Sequence, residues 1–466
     1  MIKLENKKGL NISVRSFLGA IIVIALLSAL TFALTFIVPG GEFARITNKN
    51  GNTVIAPEGG FSYVDGGLPF WKWLLSPILV LGADGGGMLI AIVVFLLIIG
   101  GVFTALDKCG LMKYMLSRIV HKYGSARYKL MYIVSFFFMA MGAFIGSFEE
   151  CVPLVPIVVS LAISLGWDSL TGLGMSLLAV GCGFASGVFN PFTVGVAQSL
   201  AGLPMFSGAS LRILSFVLIY ILLVLFLRHH AKKTEKQSET ATEEFTPDKK
   251  MDKALFLFAL ILGIGILLVL SSGFITFLQD LTVVIVALAF LIAGLVSCIK
   301  TGMSGHELLG SFLKGMVSIL PAVLLILMAS SVKYILTEGK ILDTLLYGAV
   351  SIAKGLPHWS IILFIYLIVL VMNFFISSGS AKAFLLIPLI VPIAQLFGIS
   401  EQLSIVAFAF GDGFSNVFYP TNAALLIALS LVDVSYGKWV KYSWKFQALN
   451  LLLTSLLLLS GLVIGY

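Results

Sequence analysis

The sequence predicts an all-α polytopic membrane protein: an inverted repeat with two re-entrant hairpins and two broken transmembrane helices. Three observations carry that expectation. First, the 466 residues are 59% hydrophobic and only 11% charged, with a mean hydropathy of +1.07, so lipid must serve as solvent for much of the chain. Second, apolar runs of about 20 residues recur along the whole length, enough to cross roughly 30 Å of hydrocarbon. A β-barrel would show short alternating segments instead. Third, two polar, Gly-rich interruptions repeat at one spacing: Pro156 and Pro388, Gly166 and Gly398, Gly181 and Gly413, and Asn190 and Asn422 are each 232 residues apart. Matching breaks in two hydrophobic halves point to a binding site at mid-membrane, as carriers have.

The elements follow in order from charge and hydropathy. Lys3, Lys7, Lys8 and Arg15 precede the first span, 16–38, and place the amino terminus in the cytoplasm. That span is too long for a signal-peptide core and has no small-residue cleavage site. The polar loop after Pro39 carries Glu42, Glu58 and Asp65 and suits the outer face. Phe70-Trp71-Lys72-Trp73 then opens an interfacial helix over 70–82. Residues 86–107 return inward, and 108–122 form a basic amphipathic stretch on the inner surface. Next comes a hairpin, 127–166, with arms 128–145 and 152–165. Each arm is short for a crossing, and the tip is Gly146-Ser147-Phe148-Glu149-Glu150-Cys151. Such backbone is tolerated at membrane depth only against protein or a watery cavity. A broken helix, 168–202, is interrupted between Gly181 and Pro191, and 208–228 completes the first repeat, 1–228.

The hydrophilic run 229–252, rich in Lys and Glu, reads as a cytoplasmic linker. One connecting span, 253–271, then carries the chain outward, so the second repeat, 272–466, starts on the opposite side. It holds spans 278–299 and 315–335, an interfacial stretch 340–354, an outer-side hairpin 359–398 and a broken helix 401–432. A last span, 444–465, ends outside. The reading totals nine crossings and two hairpins in the cell's cytoplasmic membrane. The net charge of +8 sits in these cytoplasmic flanks, so no nucleic-acid partner is expected.

The deep polar residues are the candidate site. Glu149 and Glu150 are costly, about 2.5–3.5 kcal/mol for a carboxylate at the centre of a span, and adjacent acids repel unless a proton or cation intervenes. They suit a proton, a cation or a cargo amine; a structural clamp on backbone amides is the blander role. At the second tip, Ser377-Ser378-Gly379-Ser380-Ala381-Lys382, small hydroxyls and a helix N-terminus suit a carboxylate or Na⁺. The facing break runs from Gly411-Asp412-Gly413 through Asn416 to Thr421-Asn422 and would line the same cavity. Cargo-binding candidates are therefore Glu150, Ser378, Ser380, Lys382, Asn416 and Asn422. Lys382 either meets a cargo carboxylate or neutralises Asp412 or a Glu of the first tip. The five histidines fall in connections and read as solvated. The four cysteines lack metal spacing and read as small apolar residues. Gly100-Gly101 suits close helix packing.

Ile37-Val38-Pro39-Gly40-Gly41-Glu42-Phe43, the tip Gly146-Ser147-Phe148-Glu149-Glu150, Asn190-Pro191-Phe192 and Phe410-Gly411-Asp412-Gly413-Phe414-Ser415-Asn416 together resemble YfcC-type carriers. These belong to the anaerobic C4-dicarboxylate carrier family of the ion transporter superfamily, and the resemblance spans nearly the whole chain. It implies a secondary carrier with a scaffold region and a moving transport region, often a homodimer. It also implies a cation-site role for Ser147, Glu149, Asn190, Thr193, Ser378, Ser380, Asn416 and Thr421. Asp412, as a deep charge, joins Ser147, Glu149, Asn190, Thr193 and Thr421 as candidates for coupling to Na⁺ or H⁺. Lys382 departs from the pattern, where an uncharged residue such as Gln is expected.

The expected function is a secondary active transporter for a small carboxylate-bearing metabolite: an amino acid, a dipeptide or a dicarboxylate. Coupling would be to Na⁺ or H⁺, or by exchange. A basic amino acid exchanger of the arginine/ornithine type is the alternative, and an ion channel the alternative of another class. The spans contain no His-Glu-x-x-His and no Gly-x-Ser-x-Gly, and the chain has no Gly-x-x-x-x-Gly-Lys-[Ser/Thr] loop, so neither an enzyme nor direct ATP drive is expected. No cofactor is expected beyond a coupling ion.

Overall fold

The computed structural model describes residues 14–47, 53–55, 60–83, 86–123, 126–146, 148–204, 206–235, 246–271, 281–353 and 355–466. It is an all-α polytopic membrane protein. Among the described residues nine helices are long and apolar enough to cross a membrane, or ten if the bent pair Gly305–Pro321 and Ile326–Glu338 is one span. Local sequence sets where these helices start. Asp168, Ser304, Ser378, Ser400, Asn422 and Ser435 each accept a backbone N–H of the first turn, satisfying donors that a helix cannot satisfy itself. Ser304 and Glu307 form a full capping box.

Three large apolar clusters hold the bundle, beside a small one of Ile24, Ala329 and Leu426. One centres on Arg127–Ala140, Val155–Ser164 and Ala179–Ser186, and reaches Trp439 and Phe446 of the last helix, Tyr436–Ile464. A second packs His358–Phe375 and Gly379–Leu396 around Glu401–Gly413. In the third, Gly86–Lys108 meets Lys249–Ser271 and Thr282–Lys300 through Phe95, Phe103, Phe258 and Phe290. Gly86–Lys108 also crosses Gly305–Glu338 at glycine: a Cβ on Gly315 would lie 2.1 Å from the Gly100 carbonyl. That small-residue contact lets two backbones touch where lipid offers no hydrophobic drive.

Two short antiparallel ribbons, Gly41–Phe43 with Phe61–Tyr63 and Arg45–Thr47 with Thr53–Ile55, fold the segment after Pro39. The segment docks on Leu342–Ala353, where Asp343 accepts the Phe43 N–H at 2.9 Å and pairs with Arg45 at 2.8 Å.

Three expectations need correction. The first hairpin arm reaches crossing length, Arg127–Ile145, because a wide turn at Met141–Ile145 carries the helix up to Gly146. The hydrophilic linker is shorter than 229–252, since one helix runs to Thr234 and the next begins at Lys249. His230 is not simply solvated: its Nε2 lies 3.1 Å from Asp168 Oδ2, and the Tyr442 ring packs edge-on against it. Burial pushes the Asp168 carboxyl up, but bonds from His230 and Thr171 outweigh it and hold the group below the usual carboxylate range.

Candidate functional site

Two interrupted helices meet at the centre of the site. The first stops at Ser186 and turns at Gly187, whose φ of +48° is left-handed. It resumes at Pro191, where Asn190 Oδ1 accepts N–H groups from Phe192 at 2.9 Å and Thr193 at 3.2 Å. The second stops at Gly413, passes through a tight turn, Phe414–Val417, and resumes at Ala423. There Asn422 Oδ1 accepts the Leu425 N–H at 3.1 Å. Asn190 and Asn422 thus do the same local job. The breaks also cross reciprocally. A Cβ on Gly181 would meet Val417 and one on Gly413 would meet Ala185; Gly181 and Gly413, like Ala185 and Val417, stand 232 residues apart.

At the second break, three backbone carbonyls accept side-chain donors from the last helix. Tyr436 donates to the Phe418 carbonyl (2.8 Å), Trp439 to Val417 (2.7 Å) and Gln447 to Phe414 (3.4 Å). Irregular backbone at this depth needs such donors.

The second hairpin delivers the charge. His358–Phe375 ends at a short turn, and Ser378 caps the returning helix through the Ala381 N–H. One turn on, Lys382 and Asp412 are both fully buried and paired at 2.5 Å. Of the roles open to Lys382, neutralising Asp412 is the one the geometry takes. Lys382 also donates to Asn373 Oδ1 and to the Ile376 carbonyl (3.1 Å). Asn373 Nδ2 in turn reaches the Asp412 carbonyl (3.0 Å), Ser415 Oγ (2.6 Å) and Asn416 Oδ1 (2.9 Å), and Asn422 joins at Asn416 Oδ1 (3.2 Å). One network therefore links Asn373, Lys382, Asp412, Ser415, Asn416 and Asn422.

The first half closes on this network from the other side. A Cβ on Gly379 would lie 2.5 Å from Thr193 Cγ2 and 2.7 Å from Asp412 Oδ2, so the second tip rests on both breaks. Gly146, left-handed at φ +76°, leaves no room for a side chain beside Asn190 Oδ1. Four buried polar atoms here have no partner among the described residues: Asn190 Nδ2, Thr193 Oγ1, Asp412 Oδ2 and Thr421 Oγ1. Buried polar atoms are nearly always bonded, so these are the ones a ligand or ion would satisfy.

Other candidates stand apart. Ser378 is exposed and Ser380 half-buried, and neither joins the network. Glu149 is half-buried and has no cationic partner among the described residues. Ser147 and the Glu150 side chain lie outside the described residues. Sequence reasoning missed Asn373, and the available signal was a lone amide in an otherwise apolar 18-residue helix, since span interiors seldom hold an amide without a partner.

The family described as the C4-dicarboxylate anaerobic carrier, DcuC, matches residues 17–463. The chain belongs to this family. The chain is 30% identical over 403 residues, 82% of its own length and 79% of the relative's, to YfcC of Escherichia coli K12, whose name proposes a basic amino acid antiporter. It is 25% identical over 386 residues (79% of its length and 74% of the relative's) to an uncharacterized protein of Haemophilus influenzae. Among solved structures, the chain is similar to the Alcanivorax borkumensis YdaH transporter, at 18% identity and a TM-score of 0.47, covering 96% and 99% of the two chains. It is also similar to Neisseria gonorrhoeae MtrF, assigned to a class of antimetabolite efflux pumps, at 16% identity and a TM-score of 0.46, covering 96% of each. Likenesses that loose assign nothing further.

Proposed function

We propose that the chain is a secondary active transporter for a small carboxylate-bearing metabolite, an amino acid, dipeptide or dicarboxylate. Coupling is to Na⁺ or H⁺, or by exchange. The observation that carries this reading is the convergence of the second hairpin tip and two helix breaks on one buried polar network with unpartnered atoms. The reciprocal contacts of Gly181 and Gly413 support an inverted relation between the halves, and family membership supports transport rather than chemistry on the cargo. We place the protein in the cytoplasmic membrane with its amino terminus inside and its carboxyl terminus outside, following the basic flanks. A homodimer follows from the resemblance.

One observation favours a more specific second reading, a basic amino acid exchanger. Asp412 consumes the charge of Lys382, while Glu149 keeps no cationic partner among the described residues. The region is thus left with an acid for an incoming amine, in line with the name of the Escherichia coli relative. The test is thermal stability of the purified protein with arginine, ornithine, dipeptides or dicarboxylates, with and without Na⁺, at two pH values. A ligand at about 100 times its dissociation constant adds roughly 2.7 kcal/mol. Stabilisation by a basic amino acid, lost in Glu149→Gln or Glu150→Gln, supports the exchanger. Stabilisation by a dicarboxylate that survives both substitutions moves the cargo site to Ser378, Ser380 and the second break. No response to any cargo defeats the carrier reading.

A further inference from the structure

The Nζ of Lys382 is surrounded as a small metal cation would be. Three oxygens face it: carboxylate Oδ1 of Asp412 at 2.5 Å, the Ile376 carbonyl at 3.1 Å and amide Oδ1 of Asn373. Carboxylate, carbonyl and amide oxygens are the donors that hard cations take. They come from separate elements, the break, the hairpin turn and the outgoing arm, so the ammonium ties together three pieces that a bound ion could equally tie. The second carboxylate oxygen, Asp412 Oδ2, and Thr193 Oγ1 are buried without partners among the described residues, and Asp412 Oδ2 and the Thr193 methyl flank Gly379. These two oxygens leave the set of donors larger than the ammonium uses.

We propose that Lys382 is a tethered resident cation, occupying with its ammonium the place where a free Na⁺ would otherwise bind. The site at the second tip is therefore closed to Na⁺ in this chain, and removing the ammonium opens it. The proposal rests on the carrier reading for its meaning, because any ion coupling then falls to the first tip, around Glu149. Its physical content stands on the oxygen cage alone.

The experiment compares wild type, Lys382→Ala and Lys382→Ala/Asp412→Asn in detergent, in NaCl against choline chloride of equal ionic strength, without cargo. Because Glu149 interacts electrostatically with Asp412, all three proteins, the one wild type at 382 and 412 included, also carry Glu149→Gln to silence the first tip, so differences report the second tip. The expected result is an extra Na⁺-dependent rise of the unfolding midpoint in Lys382→Ala of about 2 °C or more. That rise disappears in the double variant, whose response equals that of wild type. A folded, monodisperse Lys382→Ala without the extra rise overturns the proposal. So does a larger response in wild type than in the double variant, because Na⁺ would then be using Asp412 beside the lysine. The second comparison decides the matter even if Lys382→Ala does not fold. Because no cargo is present, failure to find any transported ligand leaves both comparisons readable.

Discussion

At Lys382, one carboxylate, one amide and one carbonyl oxygen replace the water that an ammonium keeps at a surface. Desolvating both charges is costly, and the pair is tolerable because each charge has a partner. Lys382→Met or Asp412→Asn alone should therefore destabilise by about 3–5 kcal/mol in sodium-free buffer, while the double replacement costs far less. Denaturation midpoints of the four proteins form the cycle, and additive losses would show that the pair is not coupled. A second residue-scale prediction concerns Cys109, a half-buried thiol 3.6 Å from Cys298. The hydrogen bond from Cys298, opposed by burial, lowers Cys109 to about 6. Alkylation follows the thiolate fraction, so Cys109 labelling with iodoacetamide should climb through about pH 6 and level off above it. An ordinary thiol would keep rising to about pH 8.5. A profile still climbing at pH 8 would show that the Cys298 contact does not form.

The two broken helices can be read from sequence because Gly-rich and Asn-Pro interruptions weaken or remove helical hydrogen bonds wherever they fall in an apolar run. Their partners cannot. Nothing about Trp439 or Gln447 in the sequence announces that their donors serve the Val417 and Phe414 carbonyls, since that depends on how the last helix is rotated. The sulfur contact of Cys109 and the clamp of His230 on Asp168 are hidden for the same reason: each joins positions 62 or more residues apart. The crossing of the breaks yields a sharp prediction. A Cβ on Gly413 would lie 2.0 Å from backbone atoms of Ala185, so Gly413→Ala must push the two helices apart. Monodisperse protein should be lost from gel filtration, whereas Gly263→Ala, whose added methyl meets nothing within 4 Å, should elute unchanged. Normal elution of Gly413→Ala would mean that the helices do not touch there.

Across the whole molecule, hydropathy alone made the all-α polytopic architecture legible, because lipid leaves helices and closed barrels as the only spanning structures. The site was half legible. Lys382 at the second tip and Asp412, Asn416 and Asn422 at the facing break stand out as deep polar residues, but Asn373, which bonds to three of them, is hidden in an apolar helix. Because Asn373 bridges the hairpin arm to the break, it should matter to any motion that carries both as a body. A carrier exposes its site alternately to the two sides, so unlabelled cargo trapped inside proteoliposomes drives transient accumulation of labelled cargo, which an open pore cannot do. Wild type should show such counterflow and saturate with cargo. Asn373→Ala should lower the rate at least about tenfold, a change that about 1.4 kcal/mol produces and that a few buried polar groups left unpaired can supply. Cargo-independent ion currents far faster than any carrier turnover would instead establish a channel, and equal counterflow by Asn373→Ala would remove the polar network from the transport path.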